Sequence, residues 1–188
     1  MSVLANPFAR GGLGRGLVAF AVFQAAWFAC VGFAAQGRSG LGVAVVAAAV
    51  LLHLRMSDQP RAELRLIAFT LAVGFIGELV ALQAGWITYA SPGPVAALPP
   101  VWILAMWVLF ATTLTGPLAW LHGRPLLAAA FGAIGGPLSY VAAARLGACR
   151  FADPEVSMLV LGVGWALVTP LLLAAARRLV ARRAGAAA

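Results

Sequence analysis

Six apolar runs, separated by short polar breaks, decide what this chain can fold into. They lie at 17–36, 41–56, 66–85, 101–121, 126–144 and 158–176. A helix needs about 20 apolar residues to cross the hydrocarbon core of a bilayer. Only 41–56 is short for that, and Arg55 near its end can snorkel to the interface. The breaks carry turn and charge signals: GRSG at 37–40, RMSDQPRAELR at 55–65, SPGPVAALPP at 91–100, HGRP at 122–125 and GACRFADPEVS at 147–157. The expected fold is all-α: a polytopic membrane protein, one domain over 1–188, built as a compact bundle of about six transmembrane helices.

Composition agrees. Charged residues make up only 10% of the chain, against about 25% in a soluble domain. The net charge of +8 comes with thirteen basic residues, and all are arginine. They flank apolar runs rather than forming a basic face, so nucleic acid is not an expected partner. With the N-terminus in the cytoplasm, ten arginines fall inside (10, 15, 55, 61, 65, 124, 177, 178, 182 and 183) and three outside (38, 145 and 150). The positive-inside rule therefore places both termini in the cytoplasm. The tail from Arg177 to Arg183 would rest on anionic inner-leaflet lipid.

The first run is also weighed as a signal peptide. It is longer than an h-region of about 7–15 residues and has no small-residue cleavage site after it, so a retained helix is expected. Cys30 and Cys149 make no disulfide framework and read as free thiols. His53, His122 and Asp58 do not have metal-ligand spacing, so no metal is expected. No phosphate-binding loop, HExxH or GxSxG motif is present, and no cofactor is expected.

Polar groups inside the runs carry the functional expectation. Glu78, in LAVGFIGELVALQAGW (71–86), is the acidic residue within the predicted spans. It would lie about 10 Å below the outer boundary, where a charge is costly and marks function by default. Thr70, Gly74, Glu78, Ala81 and Gly85 share a face of small residues, which turns Glu78 into the bundle. The fifth run offers a second small face, Ala128, Gly132, Gly135, Gly136, Ser139 and Ala143. Its Pro137 frees the carbonyl of Ala133. That helix is the expected neighbour of Glu78, bringing Ser139, Tyr140 and, by snorkelling, Arg145. In the fourth run Pro117 is expected to free the carbonyl of Thr113. Thr112, Thr113 and Thr115 can bond their own backbone. Trp102 and Trp120 suit the interfaces, and Trp107 is deeper. The candidate binding residues are Glu78, Gln24, Trp102, Thr112, Thr113, Ser139, Tyr140 and Arg145, around a polar pocket open to the outer leaflet with Trp102 at its mouth.

Four segments, FQAAWFACV (23–31), RAELRL (61–66), PPVWILAMWVLFATTL (99–114) and GPLSYVAAARLGA (136–148), resemble a bacterial family of small integral inner-membrane proteins catalogued only as a domain of unknown function. The resemblance covers nearly the whole chain. It implies a helical protein of the bacterial inner membrane with an acidic residue, more often aspartate, at position 78. Pro117 and Ala143 stand where the family often has Ser and Gly. It also implies a genomic association with lipid-modifying proteins, such as cyclopropane-fatty-acid synthases, as expected partners. It assigns no reaction. Three readings stay open: a protein that binds or moves a lipid or small amphiphile, a membrane enzyme or accessory subunit using Glu78 as general acid or base, and a non-catalytic scaffold.

Overall fold

The computed structural model describes residues 12–184. The chain forms six helices: α1 (Gly12–Ala35), α2 (Ser39–Met56), α3 (Pro60–Gln83), α4 (Val101–Leu114), α5 (Pro125–Arg145) and α6 (Pro154–Ala184). Five are long and apolar enough to cross a membrane, and α2 with 18 residues is among them. Prolines open three of the helices, at Pro60, Pro125 and Pro154, where a missing N–H costs nothing. Asp153 caps α6, its Oδ1 accepting from the N–H groups of Glu155 at 2.9 Å and Val156 at 3.1 Å.

The predicted fourth span is corrected. Helix α4 stops at Leu114 after 14 residues, about 21 Å, and a turn leads to a 3-10 helix at Ala119–Leu121. Pro117 therefore lies in the turn and kinks no helix. The carbonyl of Thr113 is not free, because it accepts from the N–H of Gly116 at 3.2 Å and of Leu118 at 2.9 Å.

Helix α4 is apolar on nearly every side, and a helix of that kind belongs in the centre. It packs against α1, α2, α3 and α6, while α5 pairs with α6 and α1 with α2. Close approach is bought with glycine. A methyl on Gly42 of α2 would sit 2.8 Å from the Cα of Cys30 in α1, and one on Gly74 of α3 would enter the indole of Trp107 in α4. On α5, Gly132 and Gly136 receive Thr169 and Trp165 of α6. Small residues at helix contacts serve this purpose in membranes, where burial alone gives little drive. Large apolar side chains such as Leu126, Leu159 and Leu167, each more than 65% exposed, face outward as lipid-facing residues do.

Helices α1, α3 and α5 end alike. Gly37, Gly85 and Gly147 take φ of +72°, +71° and +87°. The N–H groups of Arg38, Trp86 and Ala148 then return to the carbonyls of Phe33, Ala81 and Ala143, closing each helix in a left-handed C-terminal turn. These three ends gather at one end of the bundle. There a two-stranded antiparallel sheet, β1 (Ile87–Tyr89) with β2 (Cys149–Phe151), ties the exit of α3 to the exit of α5. The sheet is not foreseen in the apolar pattern, since each strand is three residues long.

Candidate functional site

The small face of α3 is buried as expected: Thr70, Gly74, Glu78 and Ala81 all lie inside. Gly85 falls beyond the helix, in its terminal turn. The neighbour of this face is α4 rather than α5. Trp107 lies flat on the space left by Gly74, and its Nε1–H donates to Glu78 Oε1 at 2.8 Å. Tyr140 of α5 donates its O–H to the same oxygen, and Tyr89 of β1 donates to Oε2. Glu78 is 2% exposed. The carboxylate thus joins α3, α4, α5 and the sheet through three neutral donors. Its accepting capacity is well used, which is the condition for burying such a group. Burial, and then the facing Glu78 carboxylate, push the phenol of Tyr89 well above its usual range, so it stays a proton donor to the carboxylate at ordinary pH. Cys149, beside Tyr140, is pushed up to about 11 by burial and then by Glu78, so it remains a thiol.

A cleft of about 420 Å³ opens on the other side of Trp107 and Tyr140, within the size range of small-ligand sites. Helix α4 forms its floor, α1 one wall, and α5 with α6 the other. From Phe131 to Ala143 along α5 it runs about 18 Å. Among the described residues ten of the lining are aromatic, including Phe23, Trp27, Trp107 and Trp165, and none is charged. The rings of Trp107 and Trp165 stack at 4.8 Å. Of the polar lining groups, Thr113 and Ser139 give their hydroxyls to the carbonyls of Phe110 and Gly136, each at 2.7 Å. Tyr140 is committed to Glu78. Gln24 brings an amide to the lining, and the buried hydroxyl of Thr169 has no partner.

The expected site is therefore split. Gln24, Trp102, Thr113, Ser139 and Tyr140 do line one cleft. Glu78 does not line it, being sealed behind Trp107 and Tyr140. Thr112 also turns away, donating to the carbonyl of Leu109 at 2.7 Å. Arg145 is exposed at the end of α5 and makes no ion pair with Glu78, whose oxygens are taken by uncharged donors. The expected mouth is the closed end. Trp102 is 1% exposed, with its Nε1–H on the carbonyl of Ser91 at 3.0 Å and its ring edge-on to Tyr89. Here α1 and α5 meet, since a methyl on Gly147 would lie 3.9 Å from the Cβ of Ala35. Toward the other end the rims carry exposed rings, Phe20 at 49% and Phe131 at 44%. The small face of α5 is divided: Gly132 and Gly136 pack on α6, while Gly135, Ser139 and Ala143 line the cleft, and its expected packing on α3 is not found. The carbonyl of Ala133 freed by Pro137 faces Gly162 of α6, whose added methyl would lie 3.5 Å from it.

A second buried acid was missed. Glu63, 7% exposed, lies in the first turn of α3, which begins six residues before the apolar run. Its Oε1 accepts from Thr115 Oγ1 at 2.8 Å, and its Oε2 lies 3.3 Å from Nε2 of His53 in α2. Thr115 thus bonds a carboxylate and not its own backbone. The signal in the sequence was RAELR, where Glu63 falls seven residues before Thr70, on the same helix face. Among the described residues no group of three or more His, Cys, Asp or Glu is placed to hold a metal ion.

A family model described as "Protein of unknown function (DUF2878)" matches residues 16–171. The chain belongs to this family. The match runs from α1 through most of α6, so both the cleft and the Glu78 cluster fall inside the family's extent. No curated protein and no solved structure matches the chain. With its several apolar helices, this member of the family is a multi-pass membrane protein.

Proposed function

We propose that this protein resides in the bacterial inner membrane and binds, or passes along, a lipid or small amphiphile in the cleft between α1, α4, α5 and α6. One observation carries the reading: a cleft about 18 Å long, lined by aromatic and aliphatic side chains with no charged group among them, lies in a molecule whose outer surface is itself apolar. Hydrocarbon is the solvent such a cleft meets, and a chain leaving the bilayer for it loses no apolar environment while gaining close packing on rigid rings. Glu78 serves this site from behind. It fixes Trp107 and Tyr140, two residues of the lining, without touching what the cleft holds. The bacterial inner-membrane assignment rests on the family resemblance, and the placement of the arginines supports the orientation.

Native mass spectrometry of protein extracted in mild detergent tests the proposal. Wild type should retain a lipid-sized adduct. Gly135→Leu should lose it while staying folded, because the first side-chain atom there would meet only Phe131 at 3.8 Å and the rest would fill the cleft. Equal adducts on both proteins would remove the cleft as the binding place.

A further inference from the structure

The cleft is asymmetric along its length, and the charge around it is asymmetric in the same direction. At one end α1 and α5 close on each other at Ala35 and Gly147, with Ala34 and Ala148 both fully buried. The flank between α1 and α5 is open to lipid at Phe28 and Leu138, 55% and 61% exposed, and this opening continues to the other end. Phe20 and Phe131 stand on opposite rims there, Pro117 and Leu118 form the sill, and exposed Trp120 sets its ring edge-on to Phe131 at 6.2 Å between centroids.

The sill continues into a tight loop, with the N–H of Leu121 on the carbonyl of Leu118 and that of Arg124 on the carbonyl of Leu121. Two exposed guanidinium groups belong to this loop and its border. Arg124 immediately precedes α5. Arg177 of α6 reaches across, its Nη1 3.3 Å from where a methyl on Gly123 would sit. Two acids are near this end. Glu63 is held by Thr115 and His53, and Asp58 is exposed in the α2–α3 connection. Among the described residues the open end is therefore positive, and the cleft above it is lined by neutral groups.

We infer that the cleft takes an acyl chain of an anionic phospholipid, entering from the arginine-rich side, with the phosphate at Arg124 and Arg177 and the chain pointing toward the closed end at Trp102. The inference rests on the lipid-binding reading above and adds head-group charge and direction. A neutral lining cannot hold the phosphate, because a charge moved into it would lie unpaired in low dielectric. The head group therefore stays at the mouth, where arginine offers a planar fork of donors for phosphate oxygens. By the positive-inside rule this mouth opens to the cytoplasmic leaflet.

The full-length protein, delipidated in detergent, is offered equal amounts of phosphatidylglycerol and phosphatidylcholine with the same acyl chains. The bound ratio is then read by native mass spectrometry. Wild type should favour phosphatidylglycerol by about fivefold or more. Arg124→Gln with Arg177→Gln should bring the ratio close to one while lipid is still bound. Arg145→Gln, at the closed end, should leave the preference intact. A ratio near one for wild type, or a preference unmoved by the double variant, overturns the inference on head group and direction alone. Failure of wild type to bind either lipid overturns both this inference and the lipid-binding reading beneath it.

Discussion

Trp107 donates its indole N–H to Glu78 across 2.8 Å, with its ring resting where Gly74 has no side chain. The same ring is a wall of the cleft. One side chain therefore belongs to two systems, a polar cluster that holds four elements together and an apolar surface suited to hydrocarbon.

The cluster should dominate local stability. Glu78→Leu leaves the N–H of Trp107 and the O–H groups of Tyr89 and Tyr140 without their acceptor. Each such orphan costs about 1–3 kcal/mol when buried. We expect a loss of about 3 kcal/mol or more, seen as a lower melting temperature in detergent, with Glu78→Gln losing less. Adding Tyr89→Phe and Tyr140→Phe to Glu78→Leu should recover part of the loss, since two orphaned donors are then removed. A Glu78→Leu protein as stable as wild type would contradict the cluster.

Gly74→Ala tests the packing beneath it. The new methyl would overlap the indole of Trp107, so the ring must shift and its bond to Glu78 must lengthen or break. Overpacking of this kind costs about 1–3 kcal/mol. The expected readout is a lower melting temperature with a changed near-ultraviolet circular dichroism spectrum. An unchanged spectrum and melting temperature would mean that the two helices are not in this register.

Arg145 and Glu63 reverse the ranking that the sequence suggests. Arg145→Gln removes an exposed group that makes no ion pair, and should change stability by less than about 0.5 kcal/mol. Glu63→Leu strips half-buried Thr115 and His53 of their partner and should cost about 1–2 kcal/mol. Melting both variants beside wild type checks the pair; the opposite order would refute the assignment.

His122 gives a pH dependence of known sign. Burial lowers its pKa, the Leu114 carbonyl that its Nε2 meets at 2.8 Å pulls it back up, and the charge of Arg177 lowers it further. The net shift is downward, so the unfolded chain binds the proton more readily than the folded one. Its contribution to stability is present above the unfolded value of about 6.5 and is lost as pH falls below it, through the folded value. Wild type should lose melting temperature between pH 7 and pH 5 more steeply than His122→Gln. Parallel curves would show that His122 is not the group involved.

The sequence made the helices legible because each apolar run is long and its breaks hold glycine, proline and arginine. It misplaced the end of α4, where Thr-Gly-Pro in an apolar context reads as a kinked span; the chain turns there and satisfies the Thr113 carbonyl from Gly116 and Leu118. Gln24, Thr113, Ser139 and Tyr140 stand out as polar groups inside apolar runs and Trp102 as an interfacial ring, and all five do share a cleft. Glu78 was placed among them because periodicity gives the face a residue occupies, not what stands between that face and a cavity. Only the tertiary structure puts Trp107 in that gap. Glu63 is hidden because the apolar run starts at Leu66, whereas α3 begins a turn and a half earlier, in charged sequence. Three-residue strands carry no period that a sequence can display.

The claim that the cleft holds a lipid chain is tested most directly by photo-crosslinking. The protein is reconstituted with a phospholipid bearing a diazirine on its acyl chain, irradiated, and mapped by peptide mass spectrometry. A chain in the cleft should label inward-facing lining residues, with buried Met106 and half-buried Trp165 foremost, and Gly135→Leu should abolish those adducts. Labels confined to outward-facing residues such as Ile76, Leu159 and Leu167, all more than 60% exposed, would contradict the claim.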